Sequence, residues 1–202
     1  MLEKLKVWLH TAYEMKASDI HLSVGVPPVF RVNGELERFG DTPLMPTDTE
    51  VIAKEMIPTF MWESFMEKGE LDFSYSLPGL SRFRVNAYKQ RSSIAMAIRI
   101  IPTSVPSLES LELPSVLKEL VEKPQGLLLV TGPTGSGKST TLASMIDYLN
   151  RKSKKHIITL EDPIEYLHKH NQCMIDQREV GFDTKTFANG LRASLRQDPD
   201  II

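Results

Sequence analysis

Eight consecutive residues, Gly132-Pro133-Thr134-Gly135-Ser136-Gly137-Lys138-Ser139, satisfy the spacing G-x-x-x-x-G-K-[ST] at every fixed position. Glycines at 132, 135 and 137 let successive backbone N–H groups turn into one concavity, which suits an anion. Downstream, Leu142, Met145, Ile146 and Leu149 recur at i, i+3, i+4, i+7, and this predicts a helix over 139–150. Its N-terminus adds partial positive charge at the glycines. Upstream, 126–131 (GLLLVT) reads as a short buried strand. Strand, glycine loop and helix together make a nucleoside-triphosphate site. Gly132 to Ser139, with Thr140, cradle the phosphates, Lys138 reaches the β- and γ-phosphates, and Ser139 holds Mg²⁺ through its hydroxyl.

Carboxylates at one position are placed to join that chemistry. The run 156–160 (HIITL) predicts a strand, with Glu161 and Asp162 at its C-terminal end. Ligands of open α/β sheets collect outside the carboxyl ends of the strands, so this pair should face the phosphate loop. An acid there can hold Mg²⁺ through water or polarise an attacking water. Glu161 is the preferred functional acid, because Asp162 precedes Pro163 and serves equally well as a turn cap. Arg82 and Arg84 share one strand face, and Arg99 lies opposite the apolar side of another strand. All three can donate to phosphate oxygens, and all three fit as readily on a solvated face paired with acids. His168, His170 and Cys173 match no standard zinc spacing and are expected on loops or the surface, so no zinc is assigned. Arg192 and Arg196 fall one turn apart on a helix expected over 186–197, opposite Phe187, Leu191 and Leu195.

The elements that must position these groups divide near residue 105. Leu2, Leu5, Trp8, Leu9 and Ala12 predict an opening amphipathic helix. Alternation at Ile20, Leu22 and Val24 predicts a strand, and Asn33-Gly34 predicts a hairpin turn. Thr47-Asp48-Thr49-Glu50 reads as a capping box for a helix through Met56, with Pro58 separating it from a second helix that ends at Gly69. Three alternating stretches, 71–77, 83–87 and 94–100, complete an antiparallel sheet, so residues 1–102 form an α+β domain. Prolines at 102, 106 and 114 mark a linker over 103–112. A short helix with Leu113, Val116, Leu117, Leu120 and Val121 on one face opens the α/β portion, 113–202, in which parallel strands are expected.

Bulk properties narrow the field further. The net charge of -2 leaves no basic field for nucleic acid. One cysteine excludes an internal disulfide and fits a reducing, cytoplasmic setting. No apolar run reaches membrane-spanning length.

Several stretches together resemble the type IV pilus retraction ATPases (the PilT family). They are Ala17 to Leu22, Pro27 to Gly34, Arg82 to Asn86, the loop GPTGSGKSTT, the acidic box TLEDPIEY, and QREVGFDTKTFANGLRASLRQDPDII. The resemblance runs from residue 17 to the end. It implies a PAS-like N-terminal domain and a partial RecA-like P-loop NTPase domain. It also implies a homohexamer with ATP bound between domains, Arg82 and Arg99 reaching the γ-phosphate, and Glu161 as the acidic-box glutamate. The implied setting is the cytoplasmic face of the inner membrane, against the platform protein of a pilus machine, with hydrolysis driving retraction and twitching motility. In that family the stretch ending here at Ile202 leads into a strand carrying the water-activating glutamate, so the resemblance implies slow turnover for this chain alone. Related ATPases of pilus assembly, competence or type II secretion share these motifs, and a module that binds nucleotide without hydrolysis is the alternative of another class.

Overall fold

Helix α1 (Leu2–Glu14) forms where apolar residues recur at helical spacing, and Leu5, Trp8, Leu9 and Ala12 are the side chains it buries. This is the first element of a computed structural model that describes residues 1–202. The chain divides into two units, Met1–Ile101 and Pro102–Ile202.

In the first unit, β1 (Asp19–Leu22), β2 (Val29–Val32) and β3 (Glu35–Arg38) are followed by helices α2 (Pro46–Met56) and α3 (Thr59–Lys68). Strands β4 (Glu70–Leu77), β5 (Ser81–Gln90) and β6 (Ser93–Ile100) complete a six-stranded antiparallel sheet of order β3-β2-β1-β6-β5-β4. Asn33 and Gly34 join β2 to β3 with φ of 50° and 88°, the backbone that this dipeptide tolerates. One sheet face supplies Ile20, Leu22, Phe30, Phe83, Met96 and Ile98 to the core beneath the helices. The other carries Arg31, Asp19, Arg99 and Arg84 as successive cross-strand neighbours. Helix α2 departs from expectation at its start. Met45 is the N-cap, and Asp48 Oδ2 accepts its N–H at 2.8 Å, so the reciprocal bond begins two residues before Thr47. Pro46 fits the first helical turn because no amide donor is needed there. Glu50 turns instead to Lys54, one helical turn on.

The second unit holds α4 (Val116–Val121), α5 (Lys138–Lys152), β7 (His156–Glu161), β8 (Met174–Glu179) and α6 (Phe187–Ser194). Strands β7 and β8 pair in parallel, Thr159 opposite Gln177 and Glu161 opposite Glu179. On the other side of β7, Ile201 bridges to Ile157, and Ile158 N–H donates to the Ile201 carbonyl at 2.9 Å. Leu149, Ile157, Cys173 and Ile175 form the core here, with Val121, Ile146 and Ile201 packed on it. The segment 103–112 has no helix or strand, although its Leu108 is buried. Buried Asn150, near the end of α5, makes three side-chain hydrogen bonds. Its Nδ2 donates to the Lys169 carbonyl, and its Oδ1 accepts from Asn171 and Cys173 N–H.

Three expectations fail in this unit. Residues 126–131 form no strand, and Leu127 and Leu129 are 85% and 74% exposed. A strand needs a neighbour for its backbone donors and acceptors, and no strand lies beside this segment. Helix α4 is short and buries none of its residues, with Val116 and Leu120 exposed. Helix α6 ends at Ser194 and buries the face beside the apolar stripe rather than the stripe itself. Gly190 and Ser194 are buried, while Phe187, Leu191 and Leu195 are exposed. Small residues bring that helix close to β7, since a Cβ at Gly190 would stand 2.8 Å from Leu160 Cδ2. Cys173 lies on the loop just before β8, as expected, but its side chain is buried in the core. Its single S–H faces the carbonyls of Ser153 (3.0 Å) and Leu149 (3.4 Å). No helix is long and apolar enough to cross a membrane.

Candidate functional site

The loop Gly132–Gly137 is exposed, and its glycines have backbone angles that side-chain-bearing residues rarely adopt: φ is 155° at Gly132, 78° at Gly135 and 89° at Gly137. Close approach also demands glycine at 132, where a Cβ would meet Ser136 Oγ at 2.6 Å. Gly137 caps α5, and Thr141 N–H already donates to its carbonyl at 2.8 Å. The first-turn amides of α5, at Lys138, Ser139 and Thr140, therefore face outward from a helix N-terminus. Lys138 Nζ folds over the loop and donates to the carbonyls of Gly132 (2.9 Å) and Pro133 (2.8 Å). A cation, a row of amides and a positive helix end thus converge on one hollow, which is chemistry for a polyphosphate.

Glu161 closes β7 and is half-buried. Its Oε1 accepts from Thr159 Oγ1 at 2.6 Å and from Gln177 Nε2 at 2.9 Å. The turn that follows contains a cis Asp162–Pro163 bond, and Asp162 is exposed. Beyond it, Tyr166 OH lies 3.0 Å from Thr140 Oγ1 on the first turn of α5. This bond brings the acidic loop against the helix that the phosphate loop caps. His168 lies in the same neighbourhood. Burial pushes its imidazole pKa down, against the pull of the Glu161 and Asp147 charges.

Strand β8 holds this loop from below. Gln177 Nε2 also donates to the Tyr166 carbonyl at 2.8 Å, and its Oε1 accepts His168 N–H at 2.8 Å. Two residues on, and therefore on the same strand face, buried Glu179 accepts Ile164 N–H at 3.1 Å. Sequence reasoning gave Thr159, Tyr166, Gln177 and Glu179 no role of their own. The available signal was the i, i+2 spacing of two polar residues on a strand beside an acidic turn.

The remaining candidates are elsewhere. Arg82, Arg84 and Arg99 belong to the sheet of the first unit. Arg99 Nε donates to Asp19 Oδ1 at 2.9 Å on the exposed face, the acid-paired arrangement that the sequence left open. His170 and Cys173 do not assemble into a metal cluster with His168. His170 Nδ1 accepts Ile175 N–H, and the cysteine is buried. Arg192 is in the last turn of α6 and Arg196 lies beyond its end.

The profile of the Type II/IV secretion system protein family matches residues 1–202, and the chain belongs to that family. The chain is 47% identical over 186 residues to the type IV pilus retractation ATPase PilT of Pseudomonas aeruginosa, covering 92% of this chain and 54% of that protein. It is 44% identical over 194 residues to the type IV pilus ATPase PilU of the same organism, covering 96% and 51%. Among solved structures it is similar to the pilus retraction motor PilT with bound ADP, at a TM-score of 0.87 and 49% identity, covering all of this chain and 58% of that one. It is also similar to the ATPase DotB of Legionella pneumophila, at a TM-score of 0.78 and 30% identity, covering 95% and 55%. The chain spans about half the length of these relatives.

Proposed function

We propose that this chain is the nucleotide-binding part of an ATPase motor that powers type IV pilus retraction. The observation that carries the reading is the phosphate loop itself, with Lys138 poised over outward-facing amides at the start of α5. The retraction assignment is supported by 47% identity to a pilus retractation ATPase and by similarity to a retraction motor with bound ADP. In this reading Gly132 to Gly137 wrap the β- and γ-phosphates of ATP with backbone N–H groups. Lys138 leaves its two loop carbonyls and neutralises the terminal phosphates. Arg82 and Arg99 are proposed donors to the γ-phosphate, and Arg99 must then release Asp19.

The donor set suits Mg²⁺. Ser139 offers a hydroxyl, and Glu161 offers a carboxylate whose two protein bonds both fall on Oε1, so Oε2 keeps its lone pairs. Ser139, with Glu161 acting through water, would hold the ion, which when bound neutralises charge on the transferring phosphoryl group. The first unit is proposed as a PAS-like domain (1–102), followed by a linker (103–112) and the first part of a RecA-like domain (113–202). The assembled motor is proposed as a homohexamer at the cytoplasmic face of the inner membrane, working on a platform protein.

The test is twofold. The full-length protein should release phosphate from Mg-ATP, and deletion of its gene should abolish twitching while surface pili persist. Loss of the pili themselves would move the assignment to an assembly or secretion ATPase. Tight ATP binding with no phosphate release would leave a nucleotide-binding module.

A further inference from the structure

One amide side chain braces the acidic loop that touches the phosphate-loop helix. Gln177 uses three of its four hydrogen-bonding positions on this loop: Nε2 to Glu161 Oε1 and to the Tyr166 carbonyl, Oε1 from His168 N–H. Tyr166 then reaches Thr140 on α5. Thr159 stands directly opposite Gln177 across β7 and β8 and donates to the same Glu161 oxygen. The carboxylate is therefore gripped at Oε1 from both strands, which fixes its plane and leaves Oε2 without a protein hydrogen bond. A carboxylate held by one hydrogen bond can swing about its last torsion, whereas two donors from fixed strands remove that freedom.

From this geometry we infer that Gln177 is a positioning residue of the nucleotide site. It orients the Glu161 carboxylate toward magnesium-bound nucleotide and ties that orientation, through Tyr166 and Thr140, to the phosphate-loop helix. Gln177 touches neither nucleotide nor metal in this scheme and acts through Glu161. The inference rests on the proposed role of Glu161.

Two variants of the full-length protein separate positioning from mere support. Gln177→Leu removes all three bonds. Gln177→Glu keeps an oxygen to accept His168 N–H but replaces the donor facing Glu161 with a second carboxylate. Binding of ATP is measured by calorimetry in EDTA and across a magnesium titration, with phosphate release followed alongside. Metal-free ATP binding is expected to stay within about twofold of the parent in both variants, because the phosphate loop is untouched. The magnesium needed for half-maximal effect is expected to rise about 10-fold or more, within the 10–100-fold range typical for partners of metal-facing ligands, and phosphate release should fall in step. Gln177→Glu should fail to rescue Gln177→Leu.

Two results overturn the inference. One is parent-like magnesium dependence in Gln177→Glu, which reduces the residue to a support for His168 N–H. The other is loss of metal-free binding in parallel with turnover, which reduces it to holding the fold. Lys138→Ala distinguishes this outcome from failure of the function itself. If that variant loses ATP while the Gln177 variants behave as the parent, only the positioning role falls.

Discussion

Replacing Lys138 by alanine tests the phosphate site, and the structure sets the size of the effect. The ammonium makes two charge-assisted bonds to its own loop, at 2.9 Å and 2.8 Å. Bonds of this kind contribute about 1.5–3 kcal/mol each. Binding ATP exchanges them for bonds to phosphate oxygens of full negative charge, so the net gain is a difference rather than a sum. Taking that difference as roughly one bond, ~1.5–3 kcal/mol, Lys138→Ala should weaken ATP binding about 10- to 150-fold. A lysine with no prior partner would predict a loss closer to 10³-fold or more, since both bonds would then count. Titration calorimetry with ATP, with and without magnesium, reads the number directly. Thermal melting checks that α5, whose capping Gly137 is unchanged, survives the substitution. Binding within twofold of the parent would refute the reasoning, because the loop would then hold phosphate without its cation.

Other substitutions probe the elements around the site. Gly190→Ala places a Cβ 2.8 Å from Leu160 Cδ2 and should destabilise the second unit by up to about 2 kcal/mol, the overpacking cost less the helix-propensity gain. In a Leu160→Ala background the same change should become neutral or stabilising, and an equal cost in both backgrounds in denaturant titrations would contradict the close approach. His156 offers both ring nitrogens to acceptors, Nε2 to the Asp176 carboxylate and Nδ1 to the Asp198 carbonyl, each at 3.0 Å, while Asp200 binds its backbone N–H. Burial opposes the imidazolium, but these bonds outweigh it and raise the pKa above the usual value. The stabilisation is therefore fully present below about pH 6.5 and is lost as pH rises through the raised folded value. His156→Gln should flatten that slope in a melting series, and an unchanged pH profile would show that the ring is not the titrating group. Asp19→Asn removes the largely covered carboxylate that pairs with exposed Arg99 and should shift stability by about 1 kcal/mol or less. If Arg99 contacts phosphate, ATP affinity should rise up to about fivefold, whereas an unchanged affinity removes Arg99 from the site.

Local signals in the sequence carried well into the structure. The glycine spacing around Lys138, the Asn33-Gly34 turn and the α1 stripe each depend on residues within one or two turns, so pattern alone located them. Parallel pairing was expected of the strands on either side of the phosphate-loop helix, but the parallel partner of β7 is β8, which follows a loop and was not singled out in the sequence. Signals failed where a partner decides the outcome. Residues 126–131 are apolar enough for a buried strand, yet no neighbouring strand takes their backbone groups. The stripe Phe187, Leu191 and Leu195 runs beside the buried face of α6, because close packing through Gly190 and Ser194 leaves no hydrophobic signature. Gln177 and Glu179 were invisible as site residues because their partners, Glu161, Ile164, Tyr166 and His168, lie 9 to 16 residues away along the chain.

Buried Asn150 gives α5 a mechanical character. The helix carries the phosphate loop at one end and is riveted by that amide to the backbone of 169–173 at the other. Its 15 residues make a strut about 22 Å long, so a tilt of roughly 5° at the loop swings the far end by about 2 Å. Motion begun at the nucleotide would thus arrive, undamped by any slack joint, at the segment that leads into β8.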